Sequence, residues 1–213
     1  MTLRHDTPLP DAREAEEHLR VIREMMERST RHSTFSGASG VLAGFVSIVG
    51  CFLTYGLDNQ LLTKTITPPQ HSARFVLLWA IVTALAIAMD YLLTKRRAAA
   101  VGKKVWSRLG KQMIIASAPG LGMGVLLTLC FWRRRQLPEI YPFWMLCYGI
   151  AVCAVGLFSQ REVALLGRAF LSVGAVTFLF LPHFGLPMMA VTFGGFHIIY
   201  ALAVAYRKES EEC

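Results

Sequence analysis

The chain has 213 residues, of which 54% are hydrophobic and 17% are charged, with a net charge of +8. A soluble domain carries about 25% charged residues, so this composition favours a membrane protein. In a soluble protein the positive charge would suggest a nucleic-acid partner. Here the position of the basic residues relative to the apolar segments matters more, and we predict no nucleic-acid partner.

The first 32 residues are predicted to be a cytoplasmic segment that contains an amphipathic helix. Their high density of charge argues against a cleavable signal peptide, so the first span must itself direct insertion. Asp11 suits a helix N-cap, and Leu19, Ile22 and Met25 recur at helical spacing. One narrow apolar stripe on a charged helix is typical of a helix on the membrane surface or on a partner. A solvated helix that packs on the chain's own loops is an equally good interpretation.

Six apolar segments are long enough to cross the roughly 30 Å hydrocarbon layer as helices. The last of them has no Asp, Glu, Lys or Arg and ends at Arg207, which begins a predicted cytoplasmic tail. The predicted fold is therefore all-α, a polytopic transmembrane bundle over residues 33–206. Its predicted spans cover residues 33–57, 75–94, 112–132, 140–159, 163–181 and 184–206.

The first span carries small residues on one helix face, at Ser36, Gly40, Gly44 and Ser47. Small side chains at this spacing let two helices approach closely in lipid, where packing drives their association. We therefore expect this face to contact another helix. That helix belongs either to the same chain or to another molecule, as in a homo-oligomer or a complex with a partner membrane protein.

Two interruptions are predicted from proline. Residues 58–74, which include Pro68 and Pro69, are expected to form a polar loop between the first two spans. The third span contains Pro119 followed by Gly120. Proline removes a hydrogen bond inside a helix and glycine loosens it, so we expect a kink or a break at that point.

The distribution of Lys and Arg predicts the orientation. With six spans both termini lie on one side, and that side carries sixteen Lys and Arg residues, including the run over 95–111. The opposite side carries five, three of them at 133–135. The positive-inside rule therefore predicts that both termini are cytoplasmic.

Three ionisable residues lie inside the predicted spans: Asp90, Arg168 and His197. From the same cytoplasmic edge their depths are about 7, 10 and 15 Å at the helical rise per residue. An unpaired charge at such a depth costs about 2.5–3.5 kcal/mol on insertion scales, so Asp90 and Arg168 are candidates to pair. We predict that the three form one intramembrane polar cluster.

This cluster has two interpretations. In the functional one, it is a proton or ion relay, or a site for an anionic ligand. In the structural one, it is a static pairing that fixes the register of the helices. The structural interpretation is favoured, because six short spans with so few internal charges leave little room for a transport path.

No cofactor and no metal site is predicted. His183 and His197 have the spacing by which cytochrome b proteins ligate two haems from one helix, but a second histidine pair inside the spans is missing. The cysteines form no Cys-x-x-Cys and no His/Cys cluster, so neither a zinc site nor a disulfide framework is indicated. The sequence also lacks the GxSxG and HExxH motifs of hydrolases.

Three stretches carry a resemblance to a family of small bacterial six-span membrane proteins. The resemblance covers most of the chain and implies a six-span fold in the bacterial inner membrane, without supplying catalytic residues. The stretches are MERSTRHSTFSGASGVLAG (26–44), YPFWMLCYGIAVCAVGLFSQREV (141–163) and FGGFHIIYALAVAYRK (193–208).

The leading functional hypothesis is a non-enzymatic subunit or accessory protein of a membrane complex. Its partners would be the lipid bilayer and a second protein or copy bound through the first span, with the N-terminal helix as a cytoplasmic contact. The alternative is a small transporter or channel that uses Asp90, Arg168 and His197. A membrane enzyme or haem protein ranks third.

Overall fold

The computed structural model describes residues 37–100, 108–159 and 161–212, together with Glu16, Glu17 and Arg20. The chain divides into a unit Met1–His32 and a unit Ser33–Cys213. In the first unit the three described residues are helical, and Arg20 Nη2 lies 3.9 Å from Glu17 Oε1. The rest of the predicted amphipathic helix lies outside the described residues.

The second unit is built of helices joined by short turns. In its described residues, six stretches are long and apolar enough to cross a bilayer and no strand occurs, which confirms the predicted all-α membrane fold. The last stretch, Pro182–Tyr206, is called the sixth span. The helices are α1 (Gly37–Leu62), α2 (Pro68–Ala100), α3 (Arg108–Arg134), α4 (Ile140–Gly156), α5 (Arg161–Phe180), α6 (Gly185–Met189), a π-helix (Ala190–Phe196) and α7 (His197–Glu212).

The predicted polar loop over 58–74 is wrong, because α1 and α2 continue into it from both sides. Pro68 and Pro69 occupy the first turn of α2, where a missing backbone N–H costs no helical hydrogen bond. The Thr67 backbone N–H also donates to Gln70 Oε1 at 2.9 Å, which caps that turn. Only residues 63–67 connect the two helices.

The break expected in the third span is also absent, since α3 runs without interruption through Pro119. The neighbouring glycine has a packing role instead. A Cβ atom added to Gly120 would lie 2.8 Å from the carbonyl oxygen of Cys147 and 3.0 Å from the backbone nitrogen of Ala151. This stretch is therefore the place where α3 approaches the backbone of α4.

The helices pack as a chain of neighbours. Helix α1 contacts α2 and the sixth span, and α4 contacts α3 and α5, while α6 lies against α1, α4 and α5. One core cluster fills the region where these elements meet. Its buried members are Cys51, Phe75, Leu137, Ile140, Tyr141, Met145, Phe170 and Met189.

Among the described residues, the most extensive contact between helices is that of α4 with α5. A Cβ atom added to Gly167 would lie 2.6 Å from the Cys153 backbone nitrogen and 3.0 Å from the Gly149 carbonyl oxygen. One added to Gly156 would lie 2.8 Å from the Cα atom of Ala164. Glycines on both helices thus let the two backbones touch, as small residues do in lipid.

Candidate functional site

The small-residue face of α1 lies against the sixth span of the same chain. A Cβ atom added to Gly44 would lie 2.7 Å from the carbonyl oxygen of Gly194, and one added to Gly40 would lie 3.1 Å from that of His197. Ser47 is buried, and its hydroxyl donates to the Ala43 carbonyl at 2.8 Å. At Gly40 and Gly44 the face is therefore occupied within the molecule. Ser36 lies outside the described residues.

His197 lies where the π-helix meets α7, and both of its ring nitrogens are hydrogen-bonded. Nδ1 is 2.9 Å from the Phe193 carbonyl oxygen, and Nε2 is 2.7 Å from the Tyr148 hydroxyl. A carbonyl only accepts, so Nδ1 carries the proton and Nε2 accepts from the tyrosine. The neutral imidazole thus satisfies both contacts without placing a charge in the interior.

The π-helix prepares this geometry. The backbone N–H of His197 donates to the Gly194 carbonyl, three residues back, rather than to Phe193 in the usual α-helical pattern. The Phe193 carbonyl instead accepts from the imidazole N–H. Single π-helical turns within α-helices are frequent at functional sites, and here the turn orients a buried polar side chain.

Aromatic rings enclose the histidine and its tyrosine partner. The centroid of the Phe170 ring lies 4.9 Å from that of Tyr148 and 5.5 Å from that of His197. The Phe193 ring stacks on His197 with centroids 6.2 Å apart. Phe170 is fully buried, and Phe196 contacts it in a T-shaped arrangement with ring centroids 5.7 Å apart. We call Tyr148, Phe170, Phe193, Phe196 and His197 the aromatic cluster.

Asp90 joins α2 to α1. Its carboxylate accepts a hydrogen bond from the Ser39 hydroxyl, and the residue is half-buried. The charge of Asp90 also lies close enough to the Tyr148 hydroxyl to act on it electrostatically. Of the predicted polar cluster, the structure therefore brings Asp90 into the neighbourhood of His197 through Tyr148.

Arg168 is directed elsewhere. It is exposed on α5, its Nε donates to the Ala164 carbonyl at 3.3 Å, and it forms no ion pair with Asp90, which is also among the described residues. The physical reason is the packing of α5, whose buried stripe includes Gly167 and Phe170 and turns toward α4. The side chain of Arg168 falls on the opposite surface.

Several polar contacts involve residues that the sequence analysis did not single out. Tyr148 is the main one, and the signal for it was that a histidine inside a span needs a partner. At the other end of α1 and α2, His71 Nε2 lies 2.7 Å from Asp58 Oδ1. Between α3 and α4, Trp144 Nε1 donates to the Thr128 hydroxyl at 2.8 Å.

The chemistry open to this region is hydrogen bonding by neutral groups beside one carboxylate. His183 lies in the short turn Pro182–Phe184 that precedes α6, about 20 Å along the span from His197. Among the described residues, no three His, Cys, Asp or Glu side chains come together as metal ligands. The prediction that no cofactor is bound stays a prediction.

No protein-family model matches this chain, and comparisons with curated proteins and with solved structures return no similar protein. The resemblance to small bacterial six-span membrane proteins therefore stays a prediction.

Proposed function

We propose that this chain is a non-enzymatic, multi-pass subunit or accessory protein of a membrane complex. The observation that carries the proposal is the arrangement of the polar side chains inside the spans. Ser39 with Asp90 links α1 to α2, Thr128 with Trp144 links α3 to α4, and Tyr148 with His197 links α4 to the sixth span. Each pair connects two helices of the bundle.

This pattern favours a scaffold over a catalyst or a transport path. His197 is hydrogen-bonded at both nitrogens within the aromatic cluster, so proton uptake at Nε2 would reverse the hydrogen bond to Tyr148 and place a charge among aromatic rings. Buried polar pairs of this kind fix the register of neighbouring helices. A bundle with a fixed register presents a constant outer surface, which is what a partner subunit requires.

The contact surface that we propose is the exposed side of α1. Because Gly40 and Gly44 already contact the sixth span, the partner would bind a different side of α1, where Phe45 and Phe52 are exposed. Aromatic side chains are enriched at protein interfaces. The proposal includes a bacterial plasma membrane and cytoplasmic termini, which rest on the resemblance and on the distribution of Lys and Arg.

Photocrosslinking from two phenylalanine positions tests this proposal. A photoreactive phenylalanine analogue replaces Phe52, which is 74% exposed, or Phe75, which is 1% exposed. In native membranes we expect a discrete adduct with a second membrane protein from position 52. The matched control at position 75 should give only crosslinks within the chain. Lipid adducts alone from position 52 and from Phe45 would contradict the proposal.

A small transporter or channel is the second candidate, and Asp90 is the observation in its favour. A half-buried carboxylate whose charge reaches the Tyr148 hydroxyl could exchange a proton or bind a cation. The test is flux of protons or monovalent cations into proteoliposomes that contain the purified chain. Flux that Asp90→Asn abolishes while the protein stays folded would replace the subunit proposal with this one.

A further inference from the structure

Arg168 presents a charged side chain to the surroundings of the protein from inside a span. It is exposed, and it lies about 10 Å along the helix axis from Arg161, the first residue of α5. Its Nε donates to the Ala164 carbonyl at 3.3 Å. The remaining N–H groups of the guanidinium have no acceptor among the described residues, and hydrocarbon offers none.

The side chain is directed toward the N-terminal end of α5. Cα–Cβ bonds tilt toward the N-terminus of a helix, and Ala164, which accepts the hydrogen bond of Arg168, lies one turn in that direction. Arg161 is exposed two turns away on the same surface, with Leu165 between them. We call Arg161, Leu165, Arg168 and Ser172 the arginine stripe.

No acidic residue of the described chain neutralises this stripe. The carboxylate of Asp90 is hydrogen-bonded to Ser39, and Glu162 acts electrostatically on Tyr200 of the sixth span. Neither Arg161 nor Arg168 forms an ion pair within the described residues. Within the described residues the stripe therefore has no counter-ion.

We propose that the arginine stripe binds the headgroup of an anionic phospholipid in the leaflet at the N-terminal end of α5. A guanidinium matches phosphate geometry with two parallel hydrogen bonds, and a long arginine side chain reaches from the hydrocarbon to the interface. Leu165, which is 56% exposed, lies between the two arginines, where an acyl chain would contact it. Basic surfaces on transmembrane helices recognise anionic headgroups in this way.

Charge favours a lipid over a second copy of the chain as the occupant. In a symmetric dimer the same surface patch contacts itself, so this stripe would bring the arginines of the two copies together. Like charges in a low-dielectric layer repel strongly. An anionic phospholipid instead brings negative charge to both Arg161 and Arg168.

Native mass spectrometry of the full chain in detergent tests the proposal, with phosphatidylglycerol and phosphatidylcholine supplied in equal amounts. We expect the wild-type protein to retain phosphatidylglycerol preferentially. Arg168→Gln and Arg161→Gln should each reduce that preference about fivefold. Each basic residue near the membrane surface strengthens the attraction to anionic lipid by about that factor. The two variants are independent, so misfolding of one leaves the other informative. Circular dichroism monitors folding.

The control variant is Arg134→Gln, which removes an exposed arginine at the end of α3, at the opposite face of the membrane. An equal loss in this control would reveal a general effect of positive charge and overturn the proposal. So would displacement of the lipid by excess inorganic phosphate, which would indicate a site for the free anion. A dimer by light scattering that Arg168→Gln converts to monomer, with lipid preference unchanged, would assign the stripe to a second copy.

Discussion

Tyr148 donates the hydrogen bond that the neutral His197 ring accepts at Nε2, across a 2.7 Å contact between α4 and the sixth span. Tyr148→Phe keeps the aromatic packing but leaves Nε2 without a donor. Hydrogen bonds between transmembrane helices are worth about 0.6 kcal/mol on average and about 1.7 kcal/mol at most. We expect the substitution to lower the free energy of unfolding by an amount within that range. Reversible unfolding in a detergent mixture measures it.

The control for this prediction is Tyr55→Phe. Tyr55 is 60% exposed on α1, so loss of its hydroxyl should leave the free energy of unfolding within about 0.5 kcal/mol of the wild-type value. Equal effects of the two substitutions would mean that the contact of Tyr148 with His197 contributes no stability.

Ser39 and Asp90 allow a second test of a polar link, through its dependence on charge. A hydrogen bond to a carboxylate contributes about 1.5–3 kcal/mol, whereas one between neutral groups contributes about 0.5–1.5 kcal/mol. Ser39→Ala should therefore destabilise the wild-type chain more than it destabilises the Asp90→Asn variant. The measurement is a double-mutant cycle of unfolding free energies. A cycle with no coupling would show that the contact has no energetic weight.

For single polar residues, the sequence predicts the position within a span more easily than it predicts the residue that is contacted. The position of His197 inside a span predicts that it needs a partner, but no pattern of residues indicates that Tyr148, on another helix, is that partner. Arg168 shows the same limit in the opposite direction. The prediction placed it in the intramembrane polar cluster, but the glycines of α5 that contact α4 lie on a different side of the helix.

At the scale of helices, glycines decide which elements touch. Gly44 meets the Gly194 carbonyl at a distance that leaves no space for a side chain, whereas Gly56, on the same helix, has open space around it. Gly44→Ala should lower the free energy of unfolding by about 1–3 kcal/mol, as overpacking does. Unfolding of the purified variants in detergent checks this.

Gly56→Ala is the matched control and should change stability in the opposite direction. Alanine is favoured over glycine in a helix by about 0.8–1.0 kcal/mol, and no neighbour opposes the added methyl group at this position. If Gly44→Ala were tolerated as well as Gly56→Ala, α1 and the sixth span would have to lie further apart at Gly44 than they do in this structure.

The helices themselves were largely predictable, and their ends were not. Apolar length identified six spans because a bilayer requires that length. The polar residues of 58–74 predict a loop, but polar side chains at a helix end only leave the hydrocarbon, and the two helices extend into this segment up to Leu62 and from Pro68. Pro119 predicts a kink or a break in α3, and the helix is not broken there, as spanning helices tolerate proline when neighbours and local adjustments satisfy the freed backbone groups.

At the scale of the whole molecule, the bundle is asymmetric in the burial of its spans. Most of the surface of α2 and α3 is exposed, whereas α4 is the most buried span. The exposed residues are mainly apolar, which is what lipid contact requires. Two outer surfaces carry the proposed binding sites: the side of α1 with the exposed Phe45 and Phe52, and the arginine stripe of α5. These two surfaces are where the proposals for a protein partner and for a lipid can be tested separately.

The predicted orientation rests on the number of spans and on charge. Six crossings would put both termini on one side, together with sixteen of the Lys and Arg residues, against five on the other side. We expect an alkaline phosphatase fusion after residue 212 to be inactive and one inserted in the 63–67 connection to be active, because the enzyme functions only outside the cytoplasm. Fluorescent-protein fusions at the same two points should give the reverse pattern.

The two fusion sites also test the number of spans independently of the orientation. An active phosphatase after residue 212 with an inactive one in the 63–67 connection would invert the molecule while keeping six crossings. Equal activity at both sites would contradict six crossings, since one of the five segments between these points could not span the membrane. Replacement of Arg133, Arg134 and Arg135 by glutamine should leave the pattern unchanged, because it removes positive charge only from the side that already carries less.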